Sequence, residues 1–346
     1  MFYIHQISCI SPQQTFYNTC IDDLHTPVNN KLIAIEPVYD DIPKNSLRRM
    51  GKMVRMGIGA AMPIIKQGKQ LNGIVIGTGN GGMEDSIIFL KQIVEYNEGL
   101  LTPAHFVQST ANAVASQLSL VSLNRGYNIT HVHRGLAFEM AAIDAAMLLQ
   151  ENTHHSYLLG GVDEISGYNY QLEYLDGWYK KEDISDGGLY SINTAGTIAG
   201  EGGVMMMVNN EKQNAVAKVI TISTLHSGDA TVVQQHPQHF LKQYAGPGID
   251  LFLSGEDGDA RFLQYYTNAE SLLNDDTAVA RFKHMCGDYP TSSSFALWLA
   301  CKLIAGVPLP SHMIKKDSSK KVYNNILIYN CHKSVQHSLI LVSKAE

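Results

Sequence analysis

The stretch over residues 126–165, GYNITHVHRGLAFEMAAIDAAMLLQENTHHSYLLGGVDEI, constrains the fold more than any other. It reads strand, helix, strand. Residues 127–132 are short and β-prone. Residues 135–150 carry Leu136, Phe138, Met140, Ala141, Ala142, Ala145, Ala146 and Leu149, a helix apolar nearly all round. Such a helix belongs in a core and not on a surface. Residues 157–159 then run into Gly160 and Gly161. A helix buried in an α/β core offers free N–H groups and partial positive charge at its first turn. Enzymes use that spot to lower a nucleophile's pKa or to bind an oxyanion. The first turn here is Arg134, Gly135 and Leu136, and it holds no nucleophile.

The flanking chain extends the same pattern. Strands are expected near residues 2–9, 31–37, 73–77, 201–208, 216–224, 249–253, 278–282, 324–329 and 338–342. Helices are expected near residues 45–66, 84–96, 108–123, 230–244, 260–273 and 292–304. The element order is nearly the same in residues 1–210 and 211–346, which suggests two similar halves despite no visible sequence repeat. Residues 167–199 read as a long loop. Met205, Met206 and Met207 are expected to fill core.

Composition excludes several function classes. The 346 residues include 45% hydrophobic and 17% charged, which suits a large buried core and not disorder. A net charge of −6 gives no support to nucleic-acid or membrane-surface binding. No apolar run is long enough to span a bilayer. Five widely spaced cysteines (Cys9, Cys20, Cys286, Cys301, Cys331) lack metal or redox spacing. They read as reduced thiols, and the chain as cytoplasmic without a signal peptide.

Bland readings prevail for most other candidates. The Gly-rich turn at residues 77–82 does not match the dinucleotide spacing and reads as a tight turn. Arg48, Arg49, Lys52 and Arg55 form a basic helix face, read as solvated in preference to partner-binding. His131 and His133 read as strand-end residues at a subunit contact. Cys286 reads as buried and inert. Glu256, Asp257 and Asp259 read as a turn over an inactive cavity, since no His or Cys accompanies them as metal ligands.

In the order and spacing of its motifs the chain resembles the β-ketoacyl-ACP synthases of the thiolase superfamily. Gly126, Asn128, the helix 135–150, Gly160, Gly161, Asp163 and Glu164 fall into the pattern around that family's nucleophile. Gly200-Glu201-Gly202 resembles its G-E-G turn. Lys283 and Gly287 resemble its K-x-x-x-G-H segment. The resemblance implies a five-layered α-β-α-β-α fold built from two similar halves.

It also shows what is missing. On this register Gly135 stands at the catalytic Cys position, expected on the floor of a central cavity. The H-G-T-G-T motif is replaced by residues 254–259, SGEDGD, and the second His position falls on Asp288. The G-F-G-G loop reads Tyr329-Asn330-Cys331-His332. Acyl transfer and malonyl decarboxylation need the thiolate and two imidazoles.

The resemblance therefore implies a non-catalytic subunit like the chain length factors of aryl-polyene and flexirubin-type clusters. Such a subunit pairs with an active ketosynthase and shapes a tunnel for carrier-bound chains. Tyr127, Asn128, Ile129, Thr130 and His131 are the expected interface strand. No cofactor is expected beyond the acyl-phosphopantetheine of acyl carrier protein, seen by the partner subunit. Two alternatives stay open. One is an acyltransferase or hydrolase acting through Cys286, His284 or the carboxylates. The other is a homodimeric acyl- or carrier-binding protein.

Overall fold

The computed structural model describes residues 1–18, 21–184, 188–244, 246 and 248–345. In the first half run β1 (Phe2–Ile10), β2 (Lys31–Leu32), α1 (Lys44–Leu47), α2 (Lys52–Ile65), β3 (Gly73–Thr78), α3 (Met83–Glu95), α4 (Pro103–Gln108), α5 (Ala113–Ser122), β4 (Tyr127–Val132), α6 (Ala137–Glu151), β5 (Ser156–Asp163), α7 (Gly167–Leu175), β6 (Ala199–Gly200) and β7 (Gly202–Asn209). In the second run β8 (Ala217–His226), α8 (Ala230–Tyr244), β9 (Leu251–Ser254), α9 (Leu263–Glu270), β10 (Ala278–Arg281), α10 (Lys283–Cys286), α11 (Ser292–Ile304), β11 (Ile314–Lys316), β12 (Asn325–His332) and β13 (Gln336–Lys344).

Eleven strands form one sheet in the order β11-β10-β9-β12-β13-β8-β1-β7-β5-β3-β4. Reading outward from the β1–β8 junction, both runs place their first, fifth, fourth, second and third long strands in succession. The directions repeat as well. β3 is parallel to β4 and β5, and β5–β7 and β1–β7 are antiparallel. β9 is parallel to β10 and β12, and β12–β13 and β8–β13 are antiparallel. The strands within residues 2–209 and 217–344 thus carry one topology twice, joined where β1 pairs antiparallel with β8.

Side-chain alternation along the strands sorts the core into three apolar layers. On β3, Ile74 and Ile76 join α2 and α5 outside the first half, while Val75 faces inward. The three successive methionines of β7 split the same way: Met205 and Met207 outward, Met206 inward. On β12 and β13, Ile326, Ile328, Ile340 and Val342 face the centre. Leu327, Leu339 and Leu341 face the layer of Phe240 and Tyr266, on α8 and α9. Between the two halves lie α6 and α11, whose buried residues share one cluster with both halves of the continuous sheet. The layers are therefore helix, sheet, helix, sheet, helix.

The alanines of α6 have a packing reason. An added Cβ on Gly77 of β3 would lie 2.5 Å from the Ala137 carbonyl oxygen, so strand and helix backbones nearly touch. Larger residues on either element would force them apart.

Several sequence expectations need correction. The helix expected over residues 45–66 breaks into α1 and α2 at Gly51, whose extended backbone caps α2. The helix expected over residues 108–123 begins only at Ala113, as α5, and α4 precedes it where a turn was expected. Residues 167–199 are not wholly loop, because α7 and a 3₁₀ turn at Gly188–Tyr190 lie within them. The second strand shrinks to Lys31–Leu32, and β11 was not anticipated. Cys9, Cys286, Cys301 and Cys331 are free and buried, whereas Cys20 lies outside the described residues. No described helix is long and apolar enough to cross a membrane.

Candidate functional site

The chain leaves β4 through an elbow. Arg134 adopts a positive φ of 47°, a conformation that side chains other than glycine rarely take. A 3₁₀ turn over Arg134–Leu136 follows, and α6 begins at Ala137. Gly135 sits buried in that turn, at the tip of the central helix.

Its surroundings come from the far end of the chain. β12 and β13 form a hairpin whose last register pair is His332 with Gln336. Lys333 and Ser334 close it with φ of 49° and 62°. Both members of that pair converge on Gly135. The Gly135 N–H donates to Gln336 Oε1 at 2.8 Å, and Gln336 Nε2 donates to the His133 carbonyl at 3.2 Å. An added Cβ on Gly135 would lie 2.2 Å from His332 Cβ and 2.4 Å from its Cγ. The space a side chain on Gly135 would need is thus filled by the His332 side chain from the second half.

This corrects the sequence picture twice. Gly135 occupies the helix tip but does not floor an open cavity, because the His332 side chain covers it. An imidazole from the segment that reads Tyr329-Asn330-Cys331-His332 also stands there, a neighbour the sequence did not place beside Gly135. The remaining space beside His332 and Asp288 is a cavity of about 30 Å³, on the scale of one water molecule.

Asp288, expected at the second His position, faces the Lys283 ammonium and the His332 imidazole. Lys283 Nζ pairs with Asp288 Oδ1 and donates to Ser292 Oγ at 2.6 Å. His332 Nδ1 stands 3.5 Å from Asp288 Oδ2. Burial opposes both charges of the pair. Even so, the adjoining carboxylate raises the Lys283 pKa, and Lys283 followed by His332 holds Asp288 well below the usual carboxylate range. Asp288 is therefore a neutralised partner of Lys283 and not a free negative charge. Nearby, burial and then the Asp288 charge push the Asp257 carboxyl well above its ordinary value.

The other acidic residues are structural. Asp163 Oδ1 accepts from Thr78 Oγ1 and from the Gly79 and Asn80 N–H groups at 2.9–3.0 Å. Its Oδ2 accepts from Thr291 Oγ1 at 2.9 Å. One carboxylate thereby ties the Gly-rich turn to the second half. Glu201 accepts from Ala34 N–H at 2.8 Å and Ile165 N–H at 3.0 Å, and it pairs with Lys52. Glu164 accepts from Met53 N–H at the start of α2 at 3.0 Å, and burial pushes its carboxyl up to about 7. Glu256 pairs with Arg281 and Lys315, and Asp259 with Arg261.

Cys286 and His284 do not assemble a nucleophile–base pair. Burial raises the Cys286 thiol pKa strongly, and its Sγ donates to the Gly287 carbonyl at 3.2 Å. Both His284 ring nitrogens are engaged, Nδ1 with Tyr190 Oη at 3.2 Å and Nε2 with His312 Nδ1 at 2.9 Å. His312 Nε2 must donate to the Ile21 carbonyl, 3.2 Å away, because a carbonyl only accepts. With both imidazoles neutral, His284 Nε2 then donates to His312, and the Tyr190 hydroxyl donates to His284. Burial and then His312 lower the His284 pKa to about 3.

The expected interface strand, β4, is the last strand of the sheet and among the described residues pairs only with β3. Tyr127 Oη and His131 Nε2 both reach Asp144 Oδ2, at 3.1 and 3.0 Å. Asn128 Nδ2 donates to the Ala115 carbonyl at 2.9 Å. Ile129 packs against the central cluster, and Thr130 Oγ1 is buried without a hydrogen-bond partner. Tyr127 and Val132 are exposed, as are Leu120 on α5 and Met147 on α6.

The sequence profile of the β-ketoacyl synthase N-terminal domain matches residues 27–175. No curated protein matches the sequence. Solved structures match along almost the whole length. One is a type II polyketide acyl-carrier protein in complex with its ketosynthase, at 12% identity over 99% of both chains and a TM-score of 0.76. A β-ketoacyl synthase from Burkholderia phymatum is 14% identical over 99% of both chains, with a TM-score of 0.76. A ketosynthase in complex with its chain length factor from Xenorhabdus doucetiae is 12% identical over 99% of this chain and 98% of that one, with a TM-score of 0.75. At such identities the likeness establishes the fold: this chain has the five-layered, thiolase-like fold of ketosynthases.

Proposed function

We propose that the chain is a non-catalytic ketosynthase-like subunit. It would pair with an active β-ketoacyl-ACP synthase that elongates carrier-bound chains of polyketide, aryl-polyene or fatty-acid type. One observation carries the reading. The helix tip that would present a nucleophile ends in Gly135, and His332 occupies the volume a thiol would need. The Gly135 N–H, the donor such a tip would aim at an oxyanion, is already bonded to Gln336. No acyl group can be loaded where there is neither sulfur nor space.

The edge of the sheet supports the pairing. Among the described residues β4 leaves one side unpaired, and Tyr127 and Val132 on it are exposed. Exposed edges of this kind are ordinarily covered by another chain. Tyr127 to His131 would form its centre. A second copy covering the edge is the runner-up arrangement, and gel filtration of the isolated chain reports it.

The test is co-expression with a candidate ketosynthase. The expected result is a one-to-one complex in which condensation needs both chains. Robust condensation by the wild-type chain alone refutes the proposal.

A further inference from the structure

Residues of α1, α4 and α5 enclose a groove of about 760 Å³ on the first half. Ligand pockets ordinarily span about 300–1,000 Å³, with mostly apolar walls and a few placed polar groups. The filled helix tip, with about 30 Å³ beside it, offers no such space. The groove does. Ile42, Met50, Val107, Leu120 and Val121 supply apolar wall, and Val107 and Leu120 stay more than half exposed, at 57% and 68%.

A cation sits on its rim. Arg49 lines the groove, and among the described residues no carboxylate pairs with it. Asp41, the acid on the same rim, is engaged by Lys66. The backbone beneath Arg49 is held in place. Buried Gln108 donates its amide N–H to the Arg49 carbonyl and accepts the Gly51 N–H through Oε1. The clamp secures the α1–α2 break and leaves the guanidinium uncommitted.

An uncommitted cation beside an apolar groove suits a molecule with an anionic head and an alkyl tail. The geometry points to a binding site for a free long-chain carboxylate, its tail along Val107 and Leu120 and its head on Arg49. A chain held as a thioester has no charge at that end, so Arg49 favours the released acid over the carrier-bound form. This assignment stands apart from the subunit reading, since the groove needs neither a catalytic partner nor a reaction.

Calorimetric titration of the full chain with dodecanoate, below its micelle concentration, tests it. Saturable one-to-one binding is expected, tightening about three- to fourfold per methylene from octanoate to dodecanoate. Methyl dodecanoate, and dodecanoate on Arg49→Met, should bind about tenfold more weakly, as loss of a charge-assisted contact requires. Leu120→Trp, which places bulk in the groove from an exposed position, should abolish binding with the melting temperature unchanged.

Equal binding of dodecanoate, its methyl ester and dodecyltrimethylammonium would overturn the assignment, as would binding that neither variant alters. So would self-association through this face, seen as a dimer that Leu120→Asp converts to monomer and that excludes dodecanoate. Failure of the subunit reading is read elsewhere, in the co-expression experiment, and leaves this titration untouched.

Discussion

The packing of His332 on Gly135 can be measured as a coupling energy. In Gly135→Cys the new Cβ meets three His332 atoms at 2.2, 2.4 and 2.7 Å. Carbon contacts are optimal near 3.5–4.0 Å, so one group must move by more than about 1 Å. Neither moves easily, because Gly135 is bonded to Gln336 and His332 belongs to a paired strand. The cost should reach the top of the overpacking range, about 3 kcal/mol. His332→Gly removes the obstruction at its own cost of about 2–3 kcal/mol, from lost packing and a flexible residue in a strand. Combining the two should restore about 2–3 kcal/mol relative to the sum. His332→Ala should rescue far less, because its Cβ keeps the 2.2 Å contact. Urea unfolding at one fixed protein concentration, with m-values checked for constancy, reads wild type, the three single variants and the two double variants. Costs additive to within about 0.5 kcal/mol would show that His332 does not cover Gly135, and the argument for a filled nucleophile position would fail.

Other consequences follow from the same contacts. Lys283→Met should destabilise by about 3–5 kcal/mol because it strands a buried Asp288, and adding Asp288→Leu should recover most of that loss in the same urea assay. The Glu164 carboxyl has a folded pKa raised to about 7 against an ordinary 4.5, so the native state holds more protons between those values and its contribution declines as pH rises through them. Glu164→Gln should therefore gain stability relative to wild type from pH 4.5 to 7, and a flat difference would contradict the burial argument. For His284 the sign reverses. Its folded pKa of about 3 lies below 6.5, so stability is present above pH 6.5 and lost as pH falls toward 3, a slope that His284→Gln should reduce. Val132→Lys on the exposed edge should abolish pairing with a ketosynthase in pull-down without lowering the melting temperature.

Elements with one dominant period were legible from residue order. β4 and α11 match the expected bounds residue for residue. Their signals are strong: a β-prone hexamer between turn residues, and an unbroken apolar helix. Expectations failed where the deciding partner lies far along the chain. The break at Gly51 reflects Asp85 and Gln108, which stand 2.3 and 3.4 Å from where its Cβ would be. Local helix propensity does not register them. The glycine pair of β5 looked like a strand end, yet both residues lie within the strand. Met205 crowds Gly160 and Ser294 crowds Gly161, so glycine there admits neighbours from both sides.

The site shows the same limit more sharply. The glycine at the helix tip could be read at one position, because it is a property of one residue. What packs against it could not, because that depends on a hairpin pairing some 200 residues away. A signal was nonetheless present. Where the resemblance led one to expect glycines, residues 329–332 carry Tyr, Asn, Cys and His, and side chains must occupy room that glycine would leave open. His332 faces Gln336 across that hairpin, and between them they take the Cα face and the N–H of Gly135. Losing a nucleophile alone would leave a hole and an orphaned donor, each costing stability. Here both are satisfied by the opposite half. The helix tip is therefore packed as core, and reversing it takes changes on both strands of the hairpin as well as a cysteine.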